Sequence, residues 1–296
     1  PQPPIPNSQL LTPTPNSPVL HLTSIPKTRA HRKTIDAPVA LVPTMGALHD
    51  GHLQLIAAAR KLTDEVWVSV FVNPTQFGPH EDFNKYPRPI EDDLAKCEAA
   101  GARVVFNPPP QAMYPPGGLD TQIDVPAISG EFEGENRPGH FHGVCRVCLK
   151  LFNICQPTFA CFGQKDYQQL RIIESLVADL NLGLAIQRVP TVREPDGLAM
   201  SSRNRYLDDK QRRHALGLSK ALQLARHLID VEGETDPAVI EAAMAKTIAA
   251  HHLTLDYAAI RHPDTLAPLD TIDRPIVALV AGRLGSVRLL DNALIG

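Results

Sequence analysis

Val42-Pro43-Thr44-Met45-Gly46-Ala47-Leu48-His49-Asp50-Gly51-His52 is the stretch that decides the fold. The apolar run before it, Val39 to Val42, reads as a strand that breaks at Pro43. A loop of small residues follows, then two histidines bracketing a glycine, then a helical run from Leu53 to Lys61. Strand, tight loop and helix N-terminus in that order make an anion site. The first N–H groups of a helix lack partners, and its dipole is positive there. Gly46 and Gly51 let the backbone approach a ligand closely. His49 and His52 fall on one side of the first turn, where they can donate to phosphate oxygens and stabilise charge as it develops. Two other readings of the pair are a metal site and two surface histidines. Zinc would want a third ligand and often a nearby acid.

Three further segments bear on the choice. Phe71-Val72-Asn73-Pro74-Thr75-Gln76-Phe77 closes an expected strand, Val66 to Val72. Ligands of open α/β sheets sit outside the carboxyl ends of strands, and the carboxamides of Asn73 and Gln76 can both donate and accept there. The plainer reading of Asn-Pro is a turn. Phe162-Gly163-Gln164-Lys165-Asp166-Tyr167-Gln168-Gln169 again follows an apolar run, Thr158 to Phe162, and precedes a helix. Lys165 is a compact charge suited to phosphate or carboxylate, and Asp166 can accept from ribose hydroxyls. Met200-Ser201-Ser202-Arg203-Asn204-Arg205 offers two hydroxyls and a guanidinium on a mobile loop, a polyphosphate clamp or simply a solvated basic loop.

Together the four segments closely resemble the pantothenate synthetase, or pantoate–β-alanine ligase, family. The resemblance runs from about Pro38 to Asn292. It adds Glu81-Asp82-x-x-x-Tyr86-Pro87-Arg88, Arg137-Pro138-x-His140-Phe141-x-Gly143-Val144, Val192-Arg193-Glu194-x-Asp196-Gly197-Leu198-Ala199, and Arg288-Leu289-Leu290-Asp291-Asn292. The histidine signature alone is shared by a wide superfamily of adenylate-forming enzymes and nucleotidyltransferases; the combination in this order is far more specific.

The resemblance implies a two-step reaction. ATP and pantoate give a pantoyl adenylate and pyrophosphate, and the amine of β-alanine then displaces AMP to give pantothenate. It implies an ATP site over Met45, Gly46, Ala47, Leu48, His49, Asp50, Gly51 and His52, over Gly163, Gln164, Lys165 and Asp166, and at Val192, Met200, Ser201, Ser202 and Arg203. His52 matches the catalytic donor, with His49 beside it, and Lys165 would bridge the α-phosphate and the attacking carboxylate. Gln76 and Gln169 match the pantoate-binding glutamines; Gln76 also lies near β-alanine, and Asn73 orders that pocket. Mg2+ is implied as the counterion of ATP. Asp92 and Asp93 are weighed as its holders through water, against the simpler role of compensating a helix N-terminus. The family also implies a homodimer through the nucleotide domain. Gln164 stands where glutamate is frequent in the family. His140-x-His142-x-x-Cys145-x-x-Cys148 has zinc-ligand chemistry, but the resemblance puts the histidines in a loop and the cysteines on the packed face of the next helix, as small apolar residues. No protein-bound metal is therefore expected.

The rest of the chain agrees. At 296 residues two domains are the default. The net charge of −3 argues against a nucleic-acid surface. Five cysteines in a long chain do not suggest a disulfide framework, and no apolar run is long enough to span a membrane. A cytoplasmic enzyme is the simplest expectation. Residues 1–18 hold seven of the 28 prolines and no charge, and read as a flexible tail. Strands expected at 39–43, 66–72, 103–106, 158–162 and 184–189 alternate with helices at 52–62, 90–100, 143–155 and 166–180. This alternation implies an α/β, Rossmann-like doubly wound parallel sheet over 19–191. The Pro- and Gly-rich segment 107–142 is expected to be a flap or dimer-facing excursion. Helices at 208–230 and 236–250 and strands near 253–261, 276–282 and 286–291 make 192–296 a smaller C-terminal α+β lid domain. Its closure would bring the clamp onto ATP and shield the adenylate from water. Two alternatives remain: a nucleotidyltransferase moving AMP onto a phosphate-bearing substrate, which would not need Gln76 and Gln169 together, and a silent nucleotide-binding module, which would have lost a phosphate-handling residue.

Overall fold

A computed structural model describes residues 18–296 except 80, 82, 119, 120 and 274. The expected tail, but for Pro18, lies outside the described residues, as does Asp82 of the Glu81–Arg88 stretch. The chain first lays down β1 (Leu20–Leu22), α1 (Ile25–Arg32), β2 (Val39–Thr44), α2 (Asp50–Arg60), β3 (Glu65–Val70), α3 (Ile90–Ala99) and β4 (Val104–Phe106). Three one-turn helices follow: α4 (Pro110–Met113), α5 (Pro126–Ser129) and α6 (Glu133–Asn136). Then come α7 (His140–Cys155), β5 (Phe159–Gly163), α8 (Tyr167–Asp179) and β6 (Ala185–Val189).

The six strands form one parallel sheet in the order β1-β4-β3-β2-β5-β6. Side chains alternate across it with the period of two that a strand imposes. Val39 and Leu41 of β2 enter one core with Trp67, Val104, Phe106 and Phe162, covered by α7 and α8. Ala40 and Val42 enter the other with Val66, Val68, Val105 and Cys161, where Ile56 and Ala59 of α2 and Cys97 of α3 pack. Burial on both faces is why these strands read as unbroken apolar runs; each such large side chain contributes about 1.5–3 kcal/mol. From β2 the chain steps outward through β3 to β4, then returns to place β5 on the other side of β2. The order reverses between β2 and β5, and ligands of such sheets bind at that point, outside the carboxyl ends.

After β6 the chain forms α9 (Asp209–Asp230), α10 (Pro237–Ala250), β7 (Thr254–Arg261), β8 (Ile276–Leu284) and β9 (Val287–Ile295). The last three make the expected antiparallel sheet, β7-β8-β9. Ile276, Ala278 and Val280 of β8 pack with Leu218, Leu222, Ile240 and Met244 of α9 and α10. The alternate residues Val277 and Leu279, with Ala259, belong to the same apolar cluster as Phe141, Val144, Tyr167 and Leu170 of the first region.

Four expectations need correction. β1 and α1 occupy a stretch where no element was expected; β1 is too short for a period to register, and it pairs with β4. β3 ends at Val70 rather than 72: the Phe71 N–H makes the last rung to β2, at Thr44 O (3.0 Å), and β2 ends there. Segment 107–142 is no bare flap, since Met113, Ile128 and Phe132 are buried in the first core. α7 starts at His140, so His140 and His142 lie in its first turn rather than in a loop.

Candidate active site

The loop after β2 is shaped by a residue from α3. Asp93, fully buried, accepts from Ala47 N (2.9 Å) and Leu48 N (2.8 Å). Asp93 stands in the first turn of α3, as the helix-end reading expects, and its two oxygens also fasten the loop. Asp92 beside it is exposed. Gly46 has φ +84°, and a Cβ there would stand 2.8 Å from an Asp93 oxygen and 2.9 Å from Val70. Only glycine meets both conditions.

α2 starts at Asp50, two residues before the expected 52, because the histidines themselves cap it. His49 is the N-cap, and its Nδ1 accepts from Gly51 N at 3.1 Å; the Nδ1 of His52 accepts from His49 N at 3.3 Å. This is a capping box built from imidazoles rather than the usual hydroxyl and carboxylate. A ring nitrogen that accepts carries no proton, so each neutral ring has its proton on Nε2. Burial, then the neighbouring His49, pulls the His52 pKa down to about 3. Burial, then Lys165 and Arg205, lowers that of His49. The ring centroids are 4.1 Å apart. Two neutral N–H donors thus stand at one helix N-terminus.

Across the switch point, β5 ends in Gly163 and the loop Gln164-Lys165-Asp166 leads into α8. Gln164 N donates to Val189 O, while Gln164 O and Lys165 O each accept from Asn292 Nδ2 of β9 at 2.9 Å. Asn292 is buried, and among the described residues its Oδ1 has no partner. Lys165 Nζ pairs with Asp166 at 3.4 Å. Gln169 reaches the cavity wall, whereas its neighbour Gln168 is committed inward, bonded to Ile128 O, Glu131 O and Glu133 N.

The segment expected to be a clamp is a hairpin braced by β9 and α9. Met200 N donates to Val192 O, and Arg193 bridges to Ala199. Arg193 makes a two-pronged ion pair with Asp291 of β9, and Arg212 of α9 grips both Glu194 and Asp196. Ser201 caps a short 3-10 turn over Ser202–Tyr206 by accepting from Arg203 N.

Asn73 and Gln76 sit in the turn after β3, both buried. Asn73 Nδ2 donates to Gln76 Oε1 (3.0 Å) and to Gly143 O (3.0 Å), and its Oδ1 accepts from Tyr114 OH (2.8 Å). A Cβ at Gly143 would lie 2.2 Å from Thr75 O, so α7 reaches this turn only through glycine. His140 Nδ1 donates to Gln76 O at 2.9 Å, and its Nε2 accepts from Arg137, which is clamped to Glu81. Burial, then Arg137, lowers the His140 pKa to about 4.

A cavity of about 870 Å³ lies between the two sheets. Lys165, Asp166, Gln169, Ser201, Arg203 and Asn292 are in its wall. His49, His52, Asn73 and Gln76 are not: two thioethers stand over that corner, Met200 Sδ 3.1 Å from Gly51 N and Met45 Sδ 3.2 Å from Gln76 Nε2. The far wall carries a group of which only Arg288 stood in a matching stretch. Arg288 of β9 forks onto Glu133 and also bonds Asp256, and Tyr257 OH donates to Glu133. Burial opposes the charge of Arg288, but the two carboxylates hold its pKa above the usual range.

No group of three potential metal ligands is found among the described residues. In the His140–Cys148 cluster, both nitrogens of His140 are engaged, and burial lifts the Cys145 thiol to about 12. Among the described residues no helix is long and apolar enough to cross a membrane.

Known proteins are similar to this chain along most of its length. The sequence pattern of the pantoate-beta-alanine ligase family matches residues 20–294. A pantothenate synthetase of Moorella thermoacetica is 50% identical over 258 residues, 87% of this chain and 90% of the relative. One from Pelotomaculum thermopropionicum is 48% identical over 259 residues, 87% and 91% of the two chains. The crystal structure of pantothenate synthetase from Thermus thermophilus superposes with a TM-score of 0.88 at 42% identity, covering 93% of this chain and 99% of that one. A Francisella tularensis pantoate-beta-alanine ligase, solved in complex with beta-gamma ATP and beta-alanine, gives 0.74 at 32% identity, with 93% and 97% covered. With the histidine corner, the Lys165 loop and the braced hairpin meeting at one sheet edge, this chain belongs to the pantoate–β-alanine ligase family.

Proposed function

We propose that this ligase, which condenses pantoate with β-alanine using ATP, works through a pantoyl adenylate made at the carboxyl edge of the parallel sheet. A pantoate carboxylate oxygen attacks the α-phosphorus, the bond from that phosphorus to the bridging oxygen breaks, and pyrophosphate leaves. The neutral amine of β-alanine then attacks the acyl carbon. The C–O bond to phosphate breaks, AMP leaves, and the surplus amine proton passes to solvent. No side-chain nucleophile is needed, so catalysis is positioning and charge stabilisation.

The observation that carries this reading is the pair of neutral Nε2–H donors at the same switch point as Lys165. Neutral donors bond phosphate oxygens without the cost of burying two like charges side by side. His52 donates as charge builds, with His49 beside it. Lys165 draws the α-phosphate and the carboxylate together. Met45–His52, Gly163–Asp166, Val192 and Met200–Arg203 hold ATP; Ala47 and Leu48 serve through backbone shape, their N–H groups being held by Asp93. Gln76 and Gln169 hold pantoate, Gln76 also faces β-alanine, and Asn73 orients Gln76. Mg2+ enters as the counterion of ATP; Asp93 does not fit as its holder, and no step above is routed through it.

Met200 and Met45 leave their places over the histidine corner when ATP binds, and the hairpin over Val192–Asn204 closes on the phosphates. This movement is local, because the antiparallel sheet shares its apolar core with the first region. A pantoyl adenylate that hydrolysed as fast on the enzyme as in water would refute closure. The family resemblance also supports a homodimer through the sheet domain, which light scattering tests directly. The test of the reaction is chromatography of nucleotides with ATP, Mg2+ and pantoate, with and without β-alanine. Catalytic AMP and pyrophosphate only with both acid and amine is the expected result. ADP and phosphate would mean an acyl phosphate and would overturn the adenylate.

A further inference from the structure

Two side chains of α3 grip the histidine corner, and the reaction described above uses neither. Asp93 holds the N–H groups of Ala47 and Leu48. Lys96, one turn further along, donates from Nζ to Leu48 O at 2.8 Å. That carbonyl shares a peptide unit with the His49 N–H. The unit is planar and trans, so its oxygen and hydrogen point in opposite directions and whatever fixes one fixes the other. The hydrogen end is the donor to His52 Nδ1. An ammonium on the oxygen also polarises the amide, which makes its N–H a stronger donor. A stronger donor at Nδ1 keeps the ring proton on Nε2, the nitrogen left for a phosphate.

We propose that Lys96 is a positioning residue for adenylation: through the Leu48–His49 peptide plane it holds His52 in the Nε2–H form, while Asp93 sets the two preceding peptides on which that plane rests. The proposal rests on the role given to His52 above. Other groups act on the pair as well. His52 faces His49, Asp166 and Lys165, and His49 faces Lys165, Arg205 and Asp50. The cations among them, Lys96 included, add to burial in disfavouring an imidazolium; Asp166 and Asp50 oppose them.

Lys96 is exposed, so its replacement leaves the core intact. In the full chain, Lys96→Met should lower kcat about tenfold, the scale of one charge-assisted hydrogen bond, with KM for ATP and pantoate within about twofold. Nitrogen-15 NMR should show His52 moving from the Nε2–H form to a tautomer mixture, with its protonation midpoint raised. In single-turnover pyrophosphate release, which precedes the amine step, the Met variant should lose activity at a higher pH than the parent as the pH is lowered. Lys96→Arg, which keeps donor and charge, should restore kcat and the NMR signature. Unchanged kcat, a fall in kcat with tautomer and pH profile unmoved, or an Arg variant no better than Met would each overturn the proposal. Normal turnover by His52→Ala would instead remove the role of His52; the NMR result still decides whether Lys96 orients that ring.

Discussion

The parallel and antiparallel sheets both bury two faces, but they bring polar groups to the candidate site by different routes. The parallel sheet works through the loops at its carboxyl edge. Its contribution is two neutral imidazoles, one lysine and two carboxamides, held by backbone hydrogen bonds and tight turns. The antiparallel sheet works through strand register. Side chains of β9 point at the cavity from the body of the strand and arrive already paired: Arg288 with Glu133 and Asp256, Asp291 with Arg193, Asn292 with two carbonyls. The first sheet supplies the groups to which the proposed reaction assigns the chemistry. The second supplies the frame that keeps the opposing loops in place.

If that division is right, the two sheets should fail differently. Arg288→Leu should cost the most stability, about 3–5 kcal/mol, because it leaves Glu133 as a buried carboxylate without its cation, while Asp256 keeps Arg283. Urea denaturation measures it; a loss under about 1 kcal/mol, the scale of an exposed ion pair, would make the frame ornamental. His52→Ala and Lys165→Ala should barely move the urea midpoint, yet each should cut adenylation by about a hundredfold or more, the scale of one preorganised charge-stabilising group. Pyrophosphate release is the readout, and near-normal release would take that residue out of the mechanism.

A smaller effect concerns His140, which braces the Gln76 backbone. The unfolded ring takes up its proton near 6.5, the folded ring only near 4. Across that window the unfolded chain binds more protons, so this histidine destabilises the fold as pH falls below 6.5, by about 2 kcal/mol at pH 5. His140→Gln should therefore narrow the gap between urea midpoints at pH 7 and pH 5; an unchanged gap would show the ring titrating normally. Gln169→Ala should be mildest, raising the pantoate KM about tenfold with ATP affinity similar, as for one lost hydrogen bond to a substrate. Weakened ATP binding with pantoate use intact would reverse its assignment.

The same contrast explains what could be read from the chain. His49, His52, Lys165, Ser201 and Arg203 lie in contiguous motifs, because a loop at a strand end collects neighbours in sequence, and their strands announce themselves as apolar runs. Asp93, Lys96 and Glu133 act on residues far from them in sequence, on partners that only the packing of α3 and α6 supplies. Arg288 and Asn292 were visible as part of a matching stretch, but nothing local says that Asn292 faces Lys165. The bracing of the hairpin did not show in the sequence, because its partners Arg193 and Asp291 stand 98 positions apart. The early start of α2 escaped notice because imidazoles are not expected as caps.

The Asn292 link also sets an order of events during synthesis. The Lys165 loop is made 127 residues before the asparagine that holds its carbonyl. The parallel sheet can form from chain already released, with the histidine corner fastened by α3. The lysine loop must wait for β9, and contacts of such separation form late and slowly. If Lys165 acts on the phosphate as proposed, a nascent chain carries an incomplete ATP site until its last described strand docks.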